Sequence, residues 1–142
     1  MTTATLQQQL VGRVIVFPVG LPGFPGRRSF ALSDLGPELA PFLELRGDPG
    51  DPRFIVVPPG AIWPDYTLEL TDEDAAAIGV RSSADAAVLA IVTLRPAPES
   101  PTANLLGPIV VNVQTAQAVQ AVVNPEHGDA MQPLTAATCR RR

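Results

Sequence analysis

The sequence predicts a mainly β protein: a small antiparallel, barrel-like single domain with one short helix. The chain has 142 residues, enough for one substantial core. Hydrophobic residues make up 46% and charged residues 17%, which argues against intrinsic disorder. The 16 prolines and 11 glycines interrupt the chain too often for long helices. Short strands joined by tight turns are therefore favoured.

The first half of the chain contains four predicted strands. Residues 1–10 are polar with three consecutive glutamines, so we expect a frayed tail or an imperfect first strand there. A β-branched run that stops at Pro18 favours a buried strand. Turn-rich stretches at residues 20–28, 34–41 and 47–52 separate the later candidates. The predicted strands are Val14–Phe17, Ser29–Leu32, Phe42–Leu45 and Phe54–Val57.

The period of the pattern changes in the middle of the chain. Residues 66–70 alternate apolar with polar side chains, which predicts a strand with one solvent-facing side. Thr71 and the three acidic residues after it form a capping-box pattern, which opens a short helix through Ile78. Gly79 is well placed to end that helix.

Three further strands are predicted in the second half. Ala87–Leu94 is the longest apolar run and predicts a central strand, followed by Ile109–Val113 and Ala118–Val123. Residues 135–142 end in a basic tail that we expect to be frayed. The core is expected to include Val14–Phe17, Phe54–Val57 and Val88–Leu94.

The charge balance favours a basic protein as partner. The formal net charge is −4 and the sequence pI is about 4.8. An acidic surface repels phosphate backbones, so we expect no direct binding to nucleic acid. The same surface attracts a basic protein and speeds the encounter.

The sequence also predicts a cytoplasmic protein without a membrane segment. Cys139 is the single cysteine, so no internal disulfide is expected. The apolar runs are shorter than the roughly 20 residues that a membrane-spanning helix needs. The N-terminus does not show a basic region ahead of an apolar one, as a signal peptide would.

The residue patterns predict neither catalysis nor a metal or cofactor site. Pro22 and Pro25 remove N–H donors that a phosphate-binding loop would need. Asp72 and Asp74 do not open an EF-hand loop, because Ala and Ser stand where that loop needs Gly and Glu. His127 is the only histidine, and no nucleophile motif accompanies it. We therefore expect a protein that is not an enzyme.

Structural and binding roles remain open at two places. Trp63 and Tyr66 flank Pro64, and such a pair forms either a recognition surface or the closed end of a core. The usual burial of large aromatics favours the second role for Trp63. Asn104 either fixes a turn through backbone hydrogen bonds or belongs to a recognition edge beside Ile109–Val113. The commoner use of Asn favours the turn.

Two Gly- and Pro-containing segments resemble the FliW family. Phe17–Phe24 reads Phe-Pro-Val-Gly-Leu-Pro-Gly-Phe, and Ala103–Asn112 begins with Ala-Asn-Leu. Gln120 falls where the family has Gln before a last strand. The similarity extends over residues 14–134. The family has Ala at the position of Gly107.

The resemblance implies a protein that binds other proteins. FliW proteins bind flagellin in the cytoplasm as its chaperone. They also bind CsrA, a small basic repressor of flagellin translation, and keep it from the flagellin mRNA. Flagellin that accumulates draws FliW away, and CsrA represses again. Gly128, Met131 and the Arg140–Arg142 tail depart from the family pattern, so the C-terminal contacts stay open.

The candidate partner-binding residues come from the turn of the first segment, the acidic helix and the Ala-Asn-Leu block. They are Leu21, Phe24, Glu69, Asp72, Glu73, Asp74, Asn104, Leu105, Leu106, Pro108, Val110 and Asn112. The carboxylates have a plainer alternative role in helix capping and solubility. For the whole chain, the alternatives are a small β-barrel that binds a ligand in its mouth and a subunit that assembles through an edge strand. We expect a monomer when the protein is free.

Overall fold

The structure is a computed structural model that describes residues 3–24, 26–48, 50, 52–96, 98–122 and 131–134. One eight-stranded sheet dominates the described residues. Its strands are β1 (Val14–Val16), β2 (Ser29–Asp34), β3 (Leu43–Gly47), β4 (Arg53–Val57), β5 (Ala86–Thr93), β6 (Thr102–Asn112), β7 (Ala118–Gln120) and β8 (Gln132–Pro133). The α-helices are α1 (Thr3–Gln8), α2 (Pro59–Ile62) and α3 (Asp72–Ile78), and Pro37–Leu39 and Ser83–Asp85 form single 3₁₀ turns.

The sheet is an antiparallel meander that almost closes on itself. Strands β1 to β7 pair in chain order, and β8 pairs with the start of β6. Val16 in β1 forms a parallel bridge with Gln117, and its N–H donates to the C=O of Ala116 at 2.9 Å. The two ends of the meander therefore meet, as closure of a sheet requires. The predicted mainly β, antiparallel, barrel-like fold is confirmed.

Alternating side chains of the strands form the main core. In β2, Phe30 and Leu32 are buried while their neighbours are more exposed. The Phe30 ring meets Phe17 edge to face, with 5.4 Å between ring centroids. The same cluster contains Ile15, Leu45, Val56, Leu89, Ile109 and Val111.

Some residues of the predicted core lie at the surface. Val14 is 44% exposed and Val16 38%, because alternation along β1 buries only Ile15 between them. Leu94 follows the end of β5 and is 69% exposed. The prediction treated whole apolar runs as buried, whereas the strands bury one face.

The strand predicted at residues 66–70 is wrong. After β4, two prolines lead the chain into α2, which leaves the sheet. β4 pairs directly with β5, so the chain between them has no place in that part of the sheet. Residues 66–70 stay outside the described strands and lead into α3, the predicted short helix.

The prediction of a frayed tail or a strand for residues 1–10 is wrong where the structure describes them. Residues 3–8 form α1, and Gln7 and Leu10 are fully buried. Gln7 is held there because its Nε2 donates to the Val88 C=O at 2.8 Å. A glutamine on the buried side of a helix conceals the apolar spacing. Residues 135–142, the second predicted tail, lie outside the described residues.

β6 begins earlier than predicted, because a bulge interrupts it. Asn104 lies opposite Ile91 and Ile109 opposite Leu89, so residues 105–108 together face Ala90 alone. A bulge lets a strand bend and changes the direction of its side chains. Gly107 and Pro108 therefore lie in a bulge inside one long strand.

Candidate protein-interaction surfaces

The helix that carries the predicted acidic residues is capped at both ends. Thr71 is the N-cap residue, and its Oγ1 accepts a hydrogen bond from the Asp74 N–H at 3.1 Å. Gly79 ends α3 in the left-handed conformation, with φ of 72°. Carboxylates in the first turn are favourable because the helix dipole is positive there. The predicted N-cap at Thr71 and the predicted helix end at Gly79 are confirmed.

The packing of α3 turns its carboxylates toward solvent. Ile78 is fully buried in a small apolar cluster with side chains of β6 and β7. As a result Asp72 and Glu73 are exposed, and Asp74 is half-buried. Glu69, just before the helix, is also exposed. All four predicted acidic residues are therefore within reach of a partner.

Residues 65–85, which we call the acidic segment, concentrate negative charge. The segment contains one arginine, Arg81, against six carboxylates: Asp65, Glu69, Asp72, Glu73, Asp74 and Asp85. Six negative charges and one positive charge give a net −5, more than the −4 of the whole protein. Within the described residues, the ion pairs are Arg53–Glu44 at 3.4 Å and Arg95–Glu99 at 3.7 Å, both outside the segment.

An open groove of about 610 Å³ runs beside the acidic segment. We call it the side groove. Its walls come from α1, α2, the acidic segment, β5 and β6. They are mostly apolar, and polar groups come from Thr67, Asp72, Arg81 and Ser82. The apolar lining includes Leu6, Tyr66, Leu68, Leu70, Val80 and Val88.

Two aromatic residues at the start of the acidic segment, Trp63 just before it and Tyr66 within it, serve the interior. The Tyr66 hydroxyl donates to the C=O of Leu105 at 2.9 Å. Burial raises the pKa of Tyr66 from 10.0 to about 12, so the phenol remains a donor. Trp63 is half-buried against an apolar cluster that includes Ile62 and Leu105. This packing agrees with the predicted closure of one end of the core.

The first motif segment forms a tight turn. The Phe24 N–H donates to the Leu21 C=O at 2.9 Å, and Gly23 between them has φ of 89°. Leu21 is 3% exposed, so it anchors the turn from inside. Phe24 is 37% exposed and rests edge to face on Phe54, with ring centroids 5.4 Å apart. Of the two candidates in this turn, Phe24 is the one that a partner can touch.

Asn104 holds the bulge in β6. Its Oδ1 accepts from the N–H groups of Leu106 and Gly107, each at 3.0 Å. This is the local backbone bonding expected of an Asn that fixes a turn. Asn104 and Leu106 are half-buried, so part of each side chain also reaches the surface.

Asn112 joins α3 to the hairpin between β6 and β7. It is 4% exposed, and its Nδ2 donates to the Ile78 C=O at 2.8 Å. Its Oδ1 accepts from the Gln114 N–H at 2.9 Å. Asn112 therefore satisfies a carbonyl at the end of α3, where no helical donor follows.

Gln120 bonds to the second motif segment and lines a pocket beside the first. Its Nε2 donates to the Gly107 C=O at 2.9 Å in the bulge. Gln120 also lines a pocket of about 370 Å³ with residues 19–23, the turn of the first segment. Reasoning from the residues did not single out this glutamine as a site residue, although its place in the family pattern was a signal.

The predicted partner-binding residues thus divide by exposure. Those that a partner can reach are Phe24, Glu69, Asp72, Glu73, Asp74, Asn104 and Leu106. Those that the fold buries are Leu21, Leu105, Pro108, Val110 and Asn112. A buried residue supports a binding surface from below, so any effect of the second group on a partner would be indirect.

The described residues contain neither a metal-binding group nor a membrane-spanning helix. Among them, no three His, Cys, Asp or Glu side chains group closely enough to hold a metal ion. His127 and Cys139 lie outside that part of the chain. No described helix has the length and apolar character needed to cross a membrane.

Comparison with known proteins identifies the family. Residues 2–134 match the FliW protein family. Flagellar assembly factor FliW of Bacillus licheniformis is 34% identical over 128 residues, covering 89% of each chain. The protein of that name from Treponema denticola is 38% identical over 113 residues, covering 79% of this chain and 76% of its own.

A solved structure agrees with these sequence matches. The crystal structure of a flagellar assembly factor FliW superposes with a TM-score of 0.75 at 26% identity. The superposition covers 87% of this chain and 86% of that one. The similarity therefore includes the fold as well as the sequence, and this chain belongs to the FliW family of flagellar assembly factors.

Proposed function

We propose that this protein regulates flagellin synthesis by exchanging two protein partners in the cytoplasm. In this proposal it binds CsrA and blocks its action on flagellin mRNA. It also binds flagellin as a chaperone, and flagellin competes CsrA away. The family membership of the chain supports this role.

The acidic segment is the observation that carries the proposal. A net charge of −5 lies within residues 65–85, and four of its carboxylates are on or just before α3. A concentrated field of this kind steers a basic protein toward the surface. CsrA is such a basic protein, so the proposal assigns its contact to this surface. Glu69, Asp72, Glu73 and Asp74 are the proposed contact residues.

Calorimetric titration of CsrA into this protein tests the first half of the proposal. We expect saturable binding whose affinity falls as salt is raised, because the attracting charges are exposed and screened. Adding flagellin to the complex should release CsrA. An absence of binding heat with folded CsrA and folded flagellin would contradict the proposal.

A charge-reversal variant tests the location of the contact. Glu69→Lys combined with Glu73→Lys should slow association with CsrA at least about tenfold at low salt and flatten its salt dependence. Glu38→Lys, a reversal at an exposed residue of the first 3₁₀ turn, is the matched control and should change little. If both variants associate at the rate of the unchanged protein, CsrA binds elsewhere.

The side groove favours one alternative function, binding of a small apolar ligand. Its volume of about 610 Å³ is within the range of ligand pockets. The groove is open along one side and bordered by charge, which suits a protein segment better than a small molecule that must be enclosed. A small apolar compound that raises the melting temperature of the unchanged protein, and that no longer binds the Leu68→Trp variant, would favour this alternative.

A further inference from the structure

Residues 67–70 belong to no strand of the sheet, and their side chains alternate in exposure. Thr67 and Glu69 are exposed, whereas Leu68 and Leu70 are half-buried. Within the part of the chain that the structure describes, the backbone N–H and C=O groups of these four residues have no hydrogen-bond partner. Such groups are satisfied either by water or by a strand that another chain adds.

The side groove begins at this unpaired stretch. Thr67, Leu68 and Leu70 line it, together with the apolar Val80 and Val88. In an added strand, alternate side chains point to the same face. Apolar side chains on that face would therefore enter the groove, and the side chains between them would lie beside Thr67 and Glu69.

The surrounding charge selects the chemistry of the added strand. Glu69 is exposed in the middle of the stretch, and Asp72 stands at the groove. The acidic segment around them has a net charge of −5. Opposite charges on neighbouring strands stabilise a pair, and like charges oppose it. Acidic peptides and nucleic acids are therefore disfavoured, and basic residues are favoured beside Glu69.

We infer that residues 67–70 are a docking edge for an extended segment of another protein in which apolar and basic residues alternate. The added strand hydrogen bonds to the backbone of residues 67–70. Its apolar side chains occupy the side groove, and its basic side chains pair with the acidic segment. This mode is β-strand addition, in which the backbone supplies affinity and alternate side chains supply specificity. The inference rests on the proposed protein-binding function and adds a site and a ligand chemistry to it.

Amide hydrogen exchange with two synthetic peptides tests the docking edge. One peptide alternates Lys with Val and Leu, and the other has Glu in place of each Lys. In the free protein, the amides of residues 67–70 should exchange rapidly. The Lys peptide should slow exchange at least about tenfold at residues 67 and 69 or at residues 68 and 70, because a strand pairs with alternate N–H groups. The Glu peptide should leave all four unchanged.

Glu69→Lys provides the charge test. This variant should bind the Lys peptide about tenfold more weakly, because the attraction between opposite charges is lost. Its melting temperature should be nearly unchanged, because Glu69 is exposed. Glu38→Lys, on the first 3₁₀ turn, should bind the Lys peptide as the unchanged protein does. Slow exchange of the four amides in the free protein would overturn the inference, as would a bound Lys peptide that protects none of them.

The outcomes separate this inference from the proposed function. If CsrA and flagellin bind while the Lys peptide protects no amide in residues 67–70, the docking edge is wrong and the proposed function stands. If the Lys peptide protects alternate amides while neither protein binds, the edge exists and the proposed partners are wrong.

Discussion

Asn104 and Asn112 show how one residue type fixes the bulge of β6 and the turn after β6, with different consequences for stability. Each Oδ1 accepts from the N–H groups two and three residues ahead. Asn112 in addition donates to the Ile78 C=O from a position that is 4% exposed. Asn104 is half-buried, so water can replace part of the hydrogen bonding that its amide provides. The two residues therefore contribute unequally to stability.

We predict that Asn112→Ala destabilises the protein more than Asn104→Ala. Asn112→Ala leaves the Ile78 carbonyl buried without its donor and should cost about 2–3 kcal/mol. Asn104→Ala should cost about 1 kcal/mol, because its lost bonds are partly solvated. Urea unfolding of both variants measures the difference. Loss of affinity for flagellin or CsrA in Asn104→Ala at unchanged stability would instead assign Asn104 to a recognition edge.

The raised pKa of Tyr66 predicts that the protein loses stability at alkaline pH. Burial raises its pKa from 10.0 to about 12, so the folded protein holds the phenol proton more tightly than the unfolded chain does. The resulting stabilisation is complete below pH 10.0 and is lost as the pH rises toward about 12. Since Tyr66 is the only tyrosine, tyrosinate absorbance reports its titration directly.

Tyr66→Phe is the control for this pH dependence. The variant lacks the titrating group and should lose less stability between pH 10.0 and about 12 than the unchanged protein. It should also be about 1 kcal/mol less stable at neutral pH, because the Leu105 carbonyl loses its donor. Equal alkaline losses in the two proteins would show that Tyr66 is not the cause.

At the scale of the element, α3 determines where the acidic side chains stand. The helix has seven residues, too few for stability on its own, so its caps and its buried Ile78 hold it in place. The N-cap bond from Asp74 to Thr71 fixes the turn that carries the carboxylates. A change at the cap therefore acts on the charged surface as well as on stability.

We predict that Thr71→Ala costs about 1 kcal/mol of stability, because the Asp74 N–H loses its acceptor. Amide exchange at Asp74 should become faster as the first turn frays, which NMR detects. Thr67→Ala is the matched control: Thr67 is also exposed and has no part in the cap. Equal stability of the two variants would contradict the role given to Thr71.

The predicted elements succeeded where local chemistry alone decides. Thr71 and Gly79 bound α3 as expected, because caps depend on residues adjacent in the chain. The strand prediction for residues 66–70 was wrong because alternation indicates only that one face is exposed to solvent. Strand pairing depends in addition on which strands are neighbours in space. Here β4 pairs directly with β5. The helix α1 was missed because Gln7 occupies a buried position.

The charge of the candidate surfaces was predictable from the sequence, whereas the exposure of their individual residues was less predictable. The acidic residues around Asp72 are exposed, as charged groups in a helix first turn usually are. Leu105 and Val110 are buried because strand direction and the bulge, neither visible in sequence, turn them inward. Gln120 gains its importance from a long-range hydrogen bond to the bulge and from a pocket that it lines together with the first turn, and no local pattern encodes either.

At the scale of the molecule, closure of the sheet and the distribution of charge act together. The bridge between Val16 and Gln117 leaves little free edge at the ends of the meander. The stretch 67–70 is an unpaired backbone edge among the described residues, and it lies inside the acidic segment. This unpaired edge therefore carries a charge that repels a second copy of this chain.

We predict that the free protein is a monomer at micromolar concentration. Two copies that paired through residues 67–70 would bring two segments of net charge −5 together, and like charges on paired strands are unfavourable. Sedimentation velocity at low and at physiological salt measures this. Glu69→Lys combined with Glu73→Lys changes the net charge of the segment from −5 to −1, and this variant should self-associate more readily than the unchanged protein. A stable dimer of the unchanged protein at low salt, where the repulsion is least screened, would contradict the prediction and favour assembly through an edge strand.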